Sequence, residues 1–275
     1  MPLIEPFVRW AGGKSWFIAY LQQLVSGLKI EHYHEPFLGG GAVFFSLEHT
    51  KRSYLSDANQ QLVNTYIQVR DNPKQVIDSF LTLRNTEEDY YRIRNEFTLD
   101  NTVENAARFI YLNQTSYNGL YRVNRKGRYN VPYGFRTNWV YDPERIMVAS
   151  LRLQNARIST GDFEVNKYRI QENDLVFLDP PYTVSHNNNG FIAYNQKLFS
   201  LDDQQRLKKF IEYIKAKGAF YILTNAAHKT IREIFLTRGD RIIELQRNSL
   251  IGGKHASRAA ISEFIFTNIP EVNNE

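Results

Sequence analysis

The sequence predicts an α/β fold with an inserted module, and three observations support this prediction. Strand-like and helix-like segments alternate in both end regions of the 275-residue chain, which is typical of a sheet covered by helices. The alternation stops between residues 58 and 150, a stretch too long for one connection in a compact sheet. One apolar run ends in Asp179-Pro-Pro-Tyr182, a stiff turn that forces the chain out of a sheet.

Short apolar runs bounded by polar or glycine-containing segments are the predicted strands. They cover residues 33–37, 53–56, 156–160, 174–179, 219–224, 241–246 and 260–267. Helical patterns separate them, and Ser200 is the expected N-cap of one helix because two acids follow in its first turn. These predicted helices cover residues 14–28, 41–49, 201–217 and 228–237.

The interruption is interpreted as an inserted module with a helical half and a β half. Two β-prone runs flank the glycine-containing turn around Gly127, which predicts a hairpin. We therefore expect residues 59–150 to be inserted into a domain formed by residues 1–58 and 151–275. The predicted helices of the module cover residues 59–70, 73–84, 87–97 and 103–113.

Composition excludes several classes of function. The chain has no Cys, which excludes disulfides, thiolate metal sites and a Cys nucleophile. It has no apolar run of about 18 residues and no signal-peptide pattern, so we expect a cytoplasmic protein without membrane contact. Its six His residues show no metal-ligand spacing, so we expect no metal. The net charge of +5 favours a polyanionic partner.

A glycine turn follows the first predicted strand, at Gly39-Gly40-Gly41. Glycines let a ligand approach the backbone closely, but the dinucleotide fingerprint is incomplete because Phe44 occupies its third glycine position. Asp57 ends the next strand and could accept hydrogen bonds from both hydroxyls of a ribose. Alternatively, Asp57 is the N-cap of a helix that begins near Ala58.

Two further segments could contact a ligand. The segment Trp10-Ala-Gly-Gly-Lys14 is not a P-loop, because Val8 stands where that motif requires glycine. Its turn could place Lys14 near a carboxylate, or leave a solvated lysine. Asp162 and Phe163 follow the third strand and could touch an adenine ring, although a surface turn is an equal alternative.

The turn at residues 179–182, called the Asp-Pro-Pro-Tyr turn below, carries the strongest chemical signal. Pro180 and Pro181 have no N–H donor, so the chain must leave the ladder there. The Asp179 carboxylate and the Pro180 carbonyl can accept two N–H bonds from an amino group on a flat base, and the base can stack on Tyr182. The alternative is an ordinary strand end with a proline-rich turn.

A long acid-free stretch indicates a nucleic-acid surface. No Asp or Glu occurs between Glu104 and Asp142, where six basic residues are interleaved with nine aromatic residues. Basic groups neutralise phosphates, and Arg can read guanine in the major groove. The alternative is a solvated hairpin with a tyrosine-rich core. A second acid-free run, at residues 245–262, adds four more candidates: Arg247, Lys254, His255 and Arg258.

Together these segments resemble the Dam-type adenine-specific DNA methyltransferases, which are the class alpha or D12 family. The shared segments follow the family's order over nearly the whole chain. They are Arg9-Trp-Ala-Gly-Gly-Lys14, Glu35-Pro-Phe-Leu-Gly-Gly-Gly41, Ser56-Asp57-Ala-Asn59, Tyr117-Asn-Gly-Leu-Tyr-Arg122, Asn130-Val-Pro-Tyr-Gly134 and Asp179-Pro-Pro-Tyr182.

The resemblance implies a seven-stranded Rossmann-like methyltransferase sheet, S-adenosylmethionine as cofactor, and a target-recognition module inserted after the second strand. It implies that the catalytic residues are Asp179, Pro180, Pro181 and Tyr182. The implied cofactor contacts are Trp10, Lys14, Glu35, Phe37, Gly39, Asp57, Asp162, Phe163 and Asp179. The implied DNA contacts are Arg9, Tyr117, Asn118, Leu120, Arg122, Arg125, Lys126, Arg128, Pro132 and Arg136.

The expected reaction is methyl transfer to the exocyclic amino group of adenine in double-stranded DNA. The target base must flip out of the duplex, and residues 183–194 are expected to close over it. We expect the target to be GATC or a site that contains GAT. We also expect a monomer, with a cognate restriction endonuclease as a candidate partner. The alternatives are methylation of an RNA base or a protein glutamine, and a catalytically silent DNA-binding relative.

Overall fold

The computed structural model describes residues 4–47, 50–96, 98, 100–124, 126–136, 142–183, 199–248 and 260–271. Each of the seven predicted strands is present within these ranges, with ends shifted by at most a few residues. The strands are β1 (His32–Glu35), β2 (Arg52–Asp57), β3 (Ala156–Thr160), β4 (Leu175–Leu178), β5 (Phe220–Ala226), β6 (Arg241–Asn248) and β7 (Ala260–Thr267).

The strands form a seven-stranded sheet in the order β3-β2-β1-β4-β5-β7-β6. β1 and β5 both pair with β4 in parallel, β2 pairs with β3 in parallel, and β7 is antiparallel to both β5 and β6. All four residues of β4 are buried. A strand that is covered on both faces has a continuous apolar run, as the sequence of β4 has. The predicted α/β sheet is therefore confirmed.

The described residues contain nine α-helices: α1 (Ile18–Leu24), α2 (Ala42–Ser46), α3 (Gln60–Asp71), α4 (Pro73–Leu81), α5 (Glu87–Glu96), α6 (Val103–Thr115), α7 (Pro143–Leu153), α8 (Leu201–Ala216) and α9 (Lys229–Phe235). The expected cap of α8 is confirmed, since the Ser200 hydroxyl accepts from the Asp203 N–H and the Asp203 carboxylate accepts from the Ser200 N–H. No helix in the described ranges is long and apolar enough to cross a bilayer.

Three predictions of local structure need correction. The helix α7 was not predicted, although Asp142 caps it and Pro143 occupies its first turn. The helix predicted at 14–28 is shorter, because a 3₁₀ turn at Ser15–Phe17 precedes α1. Among its described residues, the predicted hairpin shows the isolated bridges Ser116↔Tyr133 and Val123↔Tyr129 and no regular strand.

The hairpin ladder is short for identifiable reasons. Asn124 and Arg128 close its tip through one backbone hydrogen bond of 2.8 Å. Pro132 cannot donate to a ladder, and Asn118 and Phe135 have φ angles of 55° and 50°, which are incompatible with a strand. The β-prone residues therefore bury tyrosine rings instead of extending a sheet.

The chain forms two compact units. The first comprises Met1–Tyr20 and Leu38–Val165, and the second comprises Leu21–Phe37 and Asn166–Glu275. The first unit contains β2, β3 and the helices from α2 to α7. The second unit contains the other five strands with α8 and α9. The assignment of residues 59–150 to a separate target-recognition domain stays a prediction.

Candidate active site and DNA-binding surface

The Asp-Pro-Pro-Tyr turn lies in the second unit, directly after the carboxyl end of β4. Because β1 and β5 run parallel to β4, their carboxyl ends lie at the same edge of the sheet. Pro180 is buried and anchors the turn, whereas Pro181 is exposed and Asp179 and Tyr182 are each partly exposed. The Asp179 and Tyr182 side chains therefore stand at a sheet edge and are not sealed in the core.

A buried threonine orients the Asp179 carboxyl group. The Thr224 hydroxyl, on β5, donates to Asp179 Oδ1 over 2.7 Å, and Thr224 is fully buried. A hydrogen bond of this length restricts the rotamer of Asp179. Sequence reasoning missed Thr224, because the two residues are 45 positions apart and only the pairing of β4 with β5 brings them together.

The Tyr182 ring is held at its far end. Its hydroxyl donates to Glu263 Oε2 over 2.5 Å, and Glu263 is fully buried on β7. This residue was also missed, since it lies 81 positions away in sequence. Asp179 and Tyr182 are therefore both held by residues of other strands of the sheet, β5 and β7.

A chain of buried polar groups fixes the backbone that follows the turn. The Thr183 hydroxyl donates to the Phe199 carbonyl over 2.8 Å and accepts from Gln204 Nε2 over 2.9 Å. The Gln204 side-chain oxygen in turn accepts from Asn225 Nδ2 over 3.3 Å. These bonds fix both ends of the segment between residues 183 and 199. Residues 184–194 of the predicted closing loop lie outside the described residues.

Glu35 and Phe37 stand at the carboxyl end of β1, at the same edge as the Asp-Pro-Pro-Tyr turn. Glu35 is buried and accepts a 2.8 Å hydrogen bond from the Tyr33 hydroxyl. The Phe37 ring packs edge-on against Phe199, with centroids 5.7 Å apart. A cofactor role for Glu35 and Phe37 stays a prediction.

Asp57, in the first unit, binds the backbone of the glycine turn. Its Oδ2 accepts from the Gly39 N–H and its Oδ1 from the Asn59 N–H, both over 2.9 Å. Burial raises the pKa of Asp57 above its ordinary value, and the hydrogen bonds from Gly39, Asn59 and Ala58 offset this only in part. Helix α3 begins at Gln60 with Asn59 as its N-cap, so the N-cap alternative for Asp57 is wrong.

The glycines of this turn are required by their own neighbours. Gly39 has a φ of +49°, and a Cβ there would lie 2.7 Å from Cδ1 of Trp10. Gly41 has a φ of +68°, and a Cβ there would lie 2.9 Å from the Tyr66 hydroxyl. The Trp10 ring also stacks on Tyr121, with centroids 5.5 Å apart. Trp10 therefore packs on the glycine turn, and Tyr121 is a neighbour that the sequence did not indicate.

Lys14 is not a solvated surface lysine. Only 4% of the residue is exposed, and its ammonium group donates to the Gly12 carbonyl over 2.9 Å. Burial of an ammonium group costs free energy unless it is hydrogen-bonded or paired. The first unit therefore presents a buried cation in the segment that leads from Trp10 to α1.

Asp162 and Phe163 follow β3 and lie near Asp57 within the first unit. Asp57 is opposite Thr160 in the parallel pair of β2 and β3, and the Gly161 N–H donates to the Asp57 carbonyl over 3.1 Å. Phe163 is buried, whereas Asp162 is exposed. The Asp162 carboxylate accepts a hydrogen bond from the Glu164 N–H in the same turn. Contact of either residue with an adenine ring stays a prediction.

Arg9 lies beside the first segment expected at DNA. Asn113 accepts from the Arg9 N–H and donates to the Arg9 carbonyl, both over 2.7 Å. A Cβ on Gly119 would lie 2.7 Å from Cδ of Arg9, so the Arg9 side chain crosses the Tyr117–Gly119 turn. Asn113, another residue that the sequence did not indicate, positions Arg9.

The same turn exposes apolar and polar side chains together. Tyr117 is 54% exposed and Leu120 is 39% exposed. Asn118, between them in sequence, is also exposed. The structure therefore groups Arg9, Tyr117, Asn118 and Leu120 on one exposed turn.

The Arg122 guanidinium is oriented by Asn130. Its Nε donates to Asn130 Oδ1 over 2.8 Å, and its Nη2 donates to the Asn130 carbonyl over 3.2 Å. Arg122 is nevertheless exposed. A guanidinium whose plane is already fixed loses less conformational entropy when it binds a base edge.

The hairpin tip presents a small basic surface. Lys126 and Arg128 are both exposed, and the Asn124 side chain accepts from their backbone N–H groups over 2.9 and 3.1 Å. Arg125, the third basic residue predicted here, lies outside the described residues, as do Lys254, His255 and Arg258. Arg247 lies in β6.

Pro132 and Arg136 complete the expected DNA contacts. Pro132 is exposed, and its carbonyl accepts from the Tyr117 N–H over 2.9 Å. Arg136 is partly buried, and its carbonyl accepts from Asn85 over 2.9 Å. Phe135, between them, is 69% exposed and was not singled out from the sequence.

A tyrosine core supports this irregular segment, as the alternative interpretation proposed. The Tyr90 hydroxyl donates to the Val131 carbonyl over 2.9 Å, and the Tyr129 hydroxyl donates to the Leu120 carbonyl over 2.8 Å. Burial raises the pKa of Tyr129 to about 12. The core does not consume the basic residues, since Arg122, Lys126 and Arg128 stay exposed outside it. A tyrosine core and an exposed basic surface therefore coexist.

Comparison with known proteins agrees with these features. The sequence pattern of a family described as D12 class N6 adenine-specific DNA methyltransferase matches residues 10–250. The chain is 36% identical to the Type II methyltransferase M1.LlaDCHI of Lactococcus lactis subsp. cremoris, over 96% of this chain and 95% of that protein. It is 36% identical to the Type II methyltransferase M.MjaIII of Methanocaldococcus jannaschii, over 81% and 84%. It is 28% identical to a DNA adenine methylase of Vibrio cholerae, over 98% of each chain.

Proposed function

Because the chain belongs to the D12 class of N6 adenine-specific DNA methyltransferases, we propose that its Asp-Pro-Pro-Tyr turn holds the target adenine during methyl transfer. The chain is an adenine-specific DNA methyltransferase. The observation that supports this role of the turn is the pair of oriented, partly exposed side chains at the end of β4, Asp179 held by Thr224 and Tyr182 held by Glu263.

The turn activates a poor nucleophile. The lone pair of the adenine amino nitrogen is delocalised into the ring. The Asp179 carboxylate and the Pro180 carbonyl each accept a hydrogen bond from one N–H of the adenine amino group. These two hydrogen bonds favour a more tetrahedral amino nitrogen with a localised lone pair. Both hydrogen bonds strengthen as positive charge develops on the nitrogen, so they stabilise the transition state more than the ground state. Alignment of the two bound reactants supplies much of the remaining acceleration.

S-adenosylmethionine, when bound, supplies the methyl group from a sulfonium. The chain offers donors and acceptors that suit its parts. Asp57 can accept from ribose hydroxyls, and the buried Lys14 ammonium can pair with a carboxylate. Trp10, Gly39, Asp162, Phe163, Glu35, Phe37 and Asp179 are the other proposed contacts. Burial raises the pKa of Asp57 above that of an ordinary aspartate. Its carboxylate is therefore protonated at a higher pH than usual, and below that pH it accepts hydrogen bonds from the ribose less well.

Calorimetric titration with S-adenosylmethionine tests the cofactor proposal. We expect Asp57→Asn to weaken binding about 10- to 100-fold, because hydrogen bonds to a charged carboxylate are replaced by weaker ones. Glu164→Gln is the matched control, since Glu164 is in the turn after β3 but has no proposed contact. Unchanged affinity in Asp57→Asn would refute the ribose role.

The target proposal is GATC. Arg122 is the proposed base reader, because a guanidinium oriented by Asn130 can donate two parallel hydrogen bonds to guanine. Plasmid DNA from an expressing host should resist a GATC-cutting nuclease that methylation blocks. Complete cutting would exclude GATC, and sequencing of the methylated bases would then identify the actual site.

A matched pair of variants separates base reading from phosphate binding. Arg122→Ala should relax the choice of site by about 1–3 kcal/mol. Lys126→Ala should weaken binding to all sequences equally and reduce the slope of log affinity against log salt by about one. If Arg122→Ala weakened binding to cognate and non-cognate DNA equally, as is expected of Lys126→Ala, the proposed role of Arg122 would be contradicted.

We further propose that the chain acts as a monomer on cytoplasmic DNA. The two most similar relatives described above are Type II methyltransferases, which supports a restriction–modification role with a cognate endonuclease. Incubation with labelled cofactor and separate DNA, RNA and protein pools tests the substrate class. Label in RNA or protein, and none in DNA, would overturn the assignment of the acceptor.

A further inference from the structure

Glu263 is a buried acid within the sheet. It is fully buried near the middle of β7, opposite Ala226 of β5 and Leu245 of β6. Burial of a carboxyl group costs several kcal/mol unless hydrogen bonds compensate for it. The hydrogen bond that Glu263 makes to the Asp-Pro-Pro-Tyr turn is therefore informative about its role.

The hydrogen bond of Glu263 leaves the sheet. Its Oε2 accepts from the Tyr182 hydroxyl, which belongs to the Asp-Pro-Pro-Tyr turn. Thr267, four residues later on the same strand and equally buried, instead donates to the Tyr221 carbonyl of β5 over 2.6 Å. The two side chains therefore differ in purpose, since Thr267 joins two strands and Glu263 holds a ring of the turn.

We propose that Glu263 is a positioning residue for methyl transfer and acts through Tyr182. This inference rests on the proposed function, in which the target adenine stacks on the Tyr182 ring. A hydrogen bond at the far end of the Tyr182 ring fixes the first side-chain torsion and so the position of the ring. The hydroxyl oxygen lies on the axis of the second torsion, so the bond acts on the tilt of the ring face only through the preference of the phenolic O–H to lie in the ring plane. The ring is therefore in place before the base arrives, and less conformational freedom is lost when it does.

The same hydrogen bond has an electrostatic consequence. A carboxylate that accepts a hydrogen bond from the phenol hydroxyl increases the electron density of the ring. The face of an electron-rich ring attracts positive charge. Positive charge develops on the adenine amino nitrogen as the methyl group arrives, so Glu263 stabilises the transition state more than the bound substrate. Its removal should thus lower kcat more than it raises KM.

The first experiment compares Glu263→Ala with Glu263→Gln in steady-state methylation of a duplex. We expect Glu263→Ala to lower kcat about 10- to 100-fold, as for loss of a charge-assisted hydrogen bond, with KM for S-adenosylmethionine unchanged. Glu263→Gln should restore part of the loss and keep a deficit of about fivefold, because its amide oxygen can accept from Tyr182 but carries no charge. With 2-aminopurine at the target position, the fluorescence rise on base flipping should be smaller for Glu263→Ala. Full activity of Glu263→Ala overturns the proposal.

The second experiment asks whether the effect passes through the hydroxyl. In a Tyr182→Phe background, Glu263→Gln should change kcat by no more than about twofold, because the coupled groups form one unit. A loss as large as in the parent protein overturns the proposal. Tyr182→Phe and Glu263→Gln are nearly isosteric, so this cycle stands even if Glu263→Ala does not fold.

Thr267→Val is the matched control. It removes a buried hydrogen bond from the same strand without touching the turn, so it should lower stability and leave kcat unchanged. A kcat loss equal to that of Glu263→Ala would assign the effect to the strand and overturn the proposal.

The variant Tyr182→Ala distinguishes a failure of the proposed function from a failure of the role of Glu263. If it stays fully active, the stacking function itself fails; if it is inactive while Glu263→Ala is fully active, only the role of Glu263 fails.

Discussion

Two aspartates flank the same short strand and differ in almost every respect. Asp174 immediately precedes β4 and is fully buried, whereas Asp179 follows β4 and is partly exposed. The Asp174 carboxylate lies 2.9 Å from Nδ1 of His32 and 2.9 Å from Nε2 of His34, and it also accepts from the Gln171 N–H. Asp179 accepts from the Thr224 hydroxyl and is followed by two prolines.

The difference teaches which carboxylate is structural. Groups of its own unit surround Asp174, and they hold β1 and β4 together at the edge opposite the Asp-Pro-Pro-Tyr turn. Asp174, His32 and His34 form a hydrogen-bonded cluster. Asp179 stands at the edge where parallel strands present ligand sites. We therefore predict that Asp174 serves stability and that Asp179 serves the reaction.

Asp179→Ala should have the largest effect on turnover. We expect kcat to fall about 1,000-fold, because the amino nitrogen loses its charged acceptor in the transition state. DNA affinity, measured by a gel shift, should change little. Activity within tenfold of the parent protein would remove Asp179 from the mechanism and break the comparison.

Asp174→Asn should affect stability instead. Loss of a buried charge that bridges two imidazoles should lower the free energy of unfolding by about 3 kcal/mol, measured by urea denaturation. The kcat of the folded fraction should match that of the parent protein. A loss of kcat as large as that of Asp179→Ala would show that the two strand ends are not separate in function.

The His34–Asp174 pair should give an acid-dependent stability. Burial lowers the pKa of His34, and the hydrogen bond and charge of Asp174 compensate only in part. The unfolded chain therefore binds a proton near pH 6.5 while the folded chain does not, so stability should fall as the pH drops below about 6.5 toward the lower folded pKa. Urea titrations at several pH values measure this, and His34→Gln should flatten the slope. An equal slope in that variant would contradict the assignment.

The same titrations should show the Asp174 contribution at lower pH. Burial raises the pKa of Asp174, but hydrogen bonds from His34, Gln171 and His32 outweigh burial and keep it below the ordinary value. Its stabilisation should be complete above about pH 4 and lost only as the pH falls through the folded pKa.

Thr224→Val should produce the smallest change. The substitution removes the hydroxyl that donates to Asp179 and keeps the shape of the side chain at position 224. We expect kcat to fall about fivefold, which is equivalent to about 1 kcal/mol for one hydrogen bond. Thr267→Val, another buried threonine of the sheet, serves as the control and should not change kcat. A fall of 1,000-fold in Thr224→Val would mean that the hydroxyl does more than orient Asp179.

Much of the fold could be predicted because its signals are local. All seven strands were foreseen from short apolar runs, and the cap of α8 from Ser200 and the acids after it. Helix α7 was missed since it was included in the inserted module as a whole. The hairpin strands were overestimated, because β-propensity at Tyr129 and Tyr133 served ring burial instead of a ladder.

The candidate site divides in the same way. Roles for Asp57 and Asp179 could be predicted from residue type and from strand ends, and these roles stay predictions. Their environments could not, since Gly39 binds Asp57 from 18 positions away. The burial of Lys14 was equally invisible, because spacing alone left a solvated lysine as an even alternative.

The sequence by itself determined the strand ends, the proline-stiffened turn and the family to which the chain belongs, because these depend on residue type and near neighbours. Only the tertiary structure decided that Thr224 orients Asp179 and that Glu263 holds Tyr182. Those contacts join residues 45 and 81 positions apart, because the sheet places β5 beside β4 and β7 beside β5. The order of distant strands in a sheet leaves no local trace in the chain.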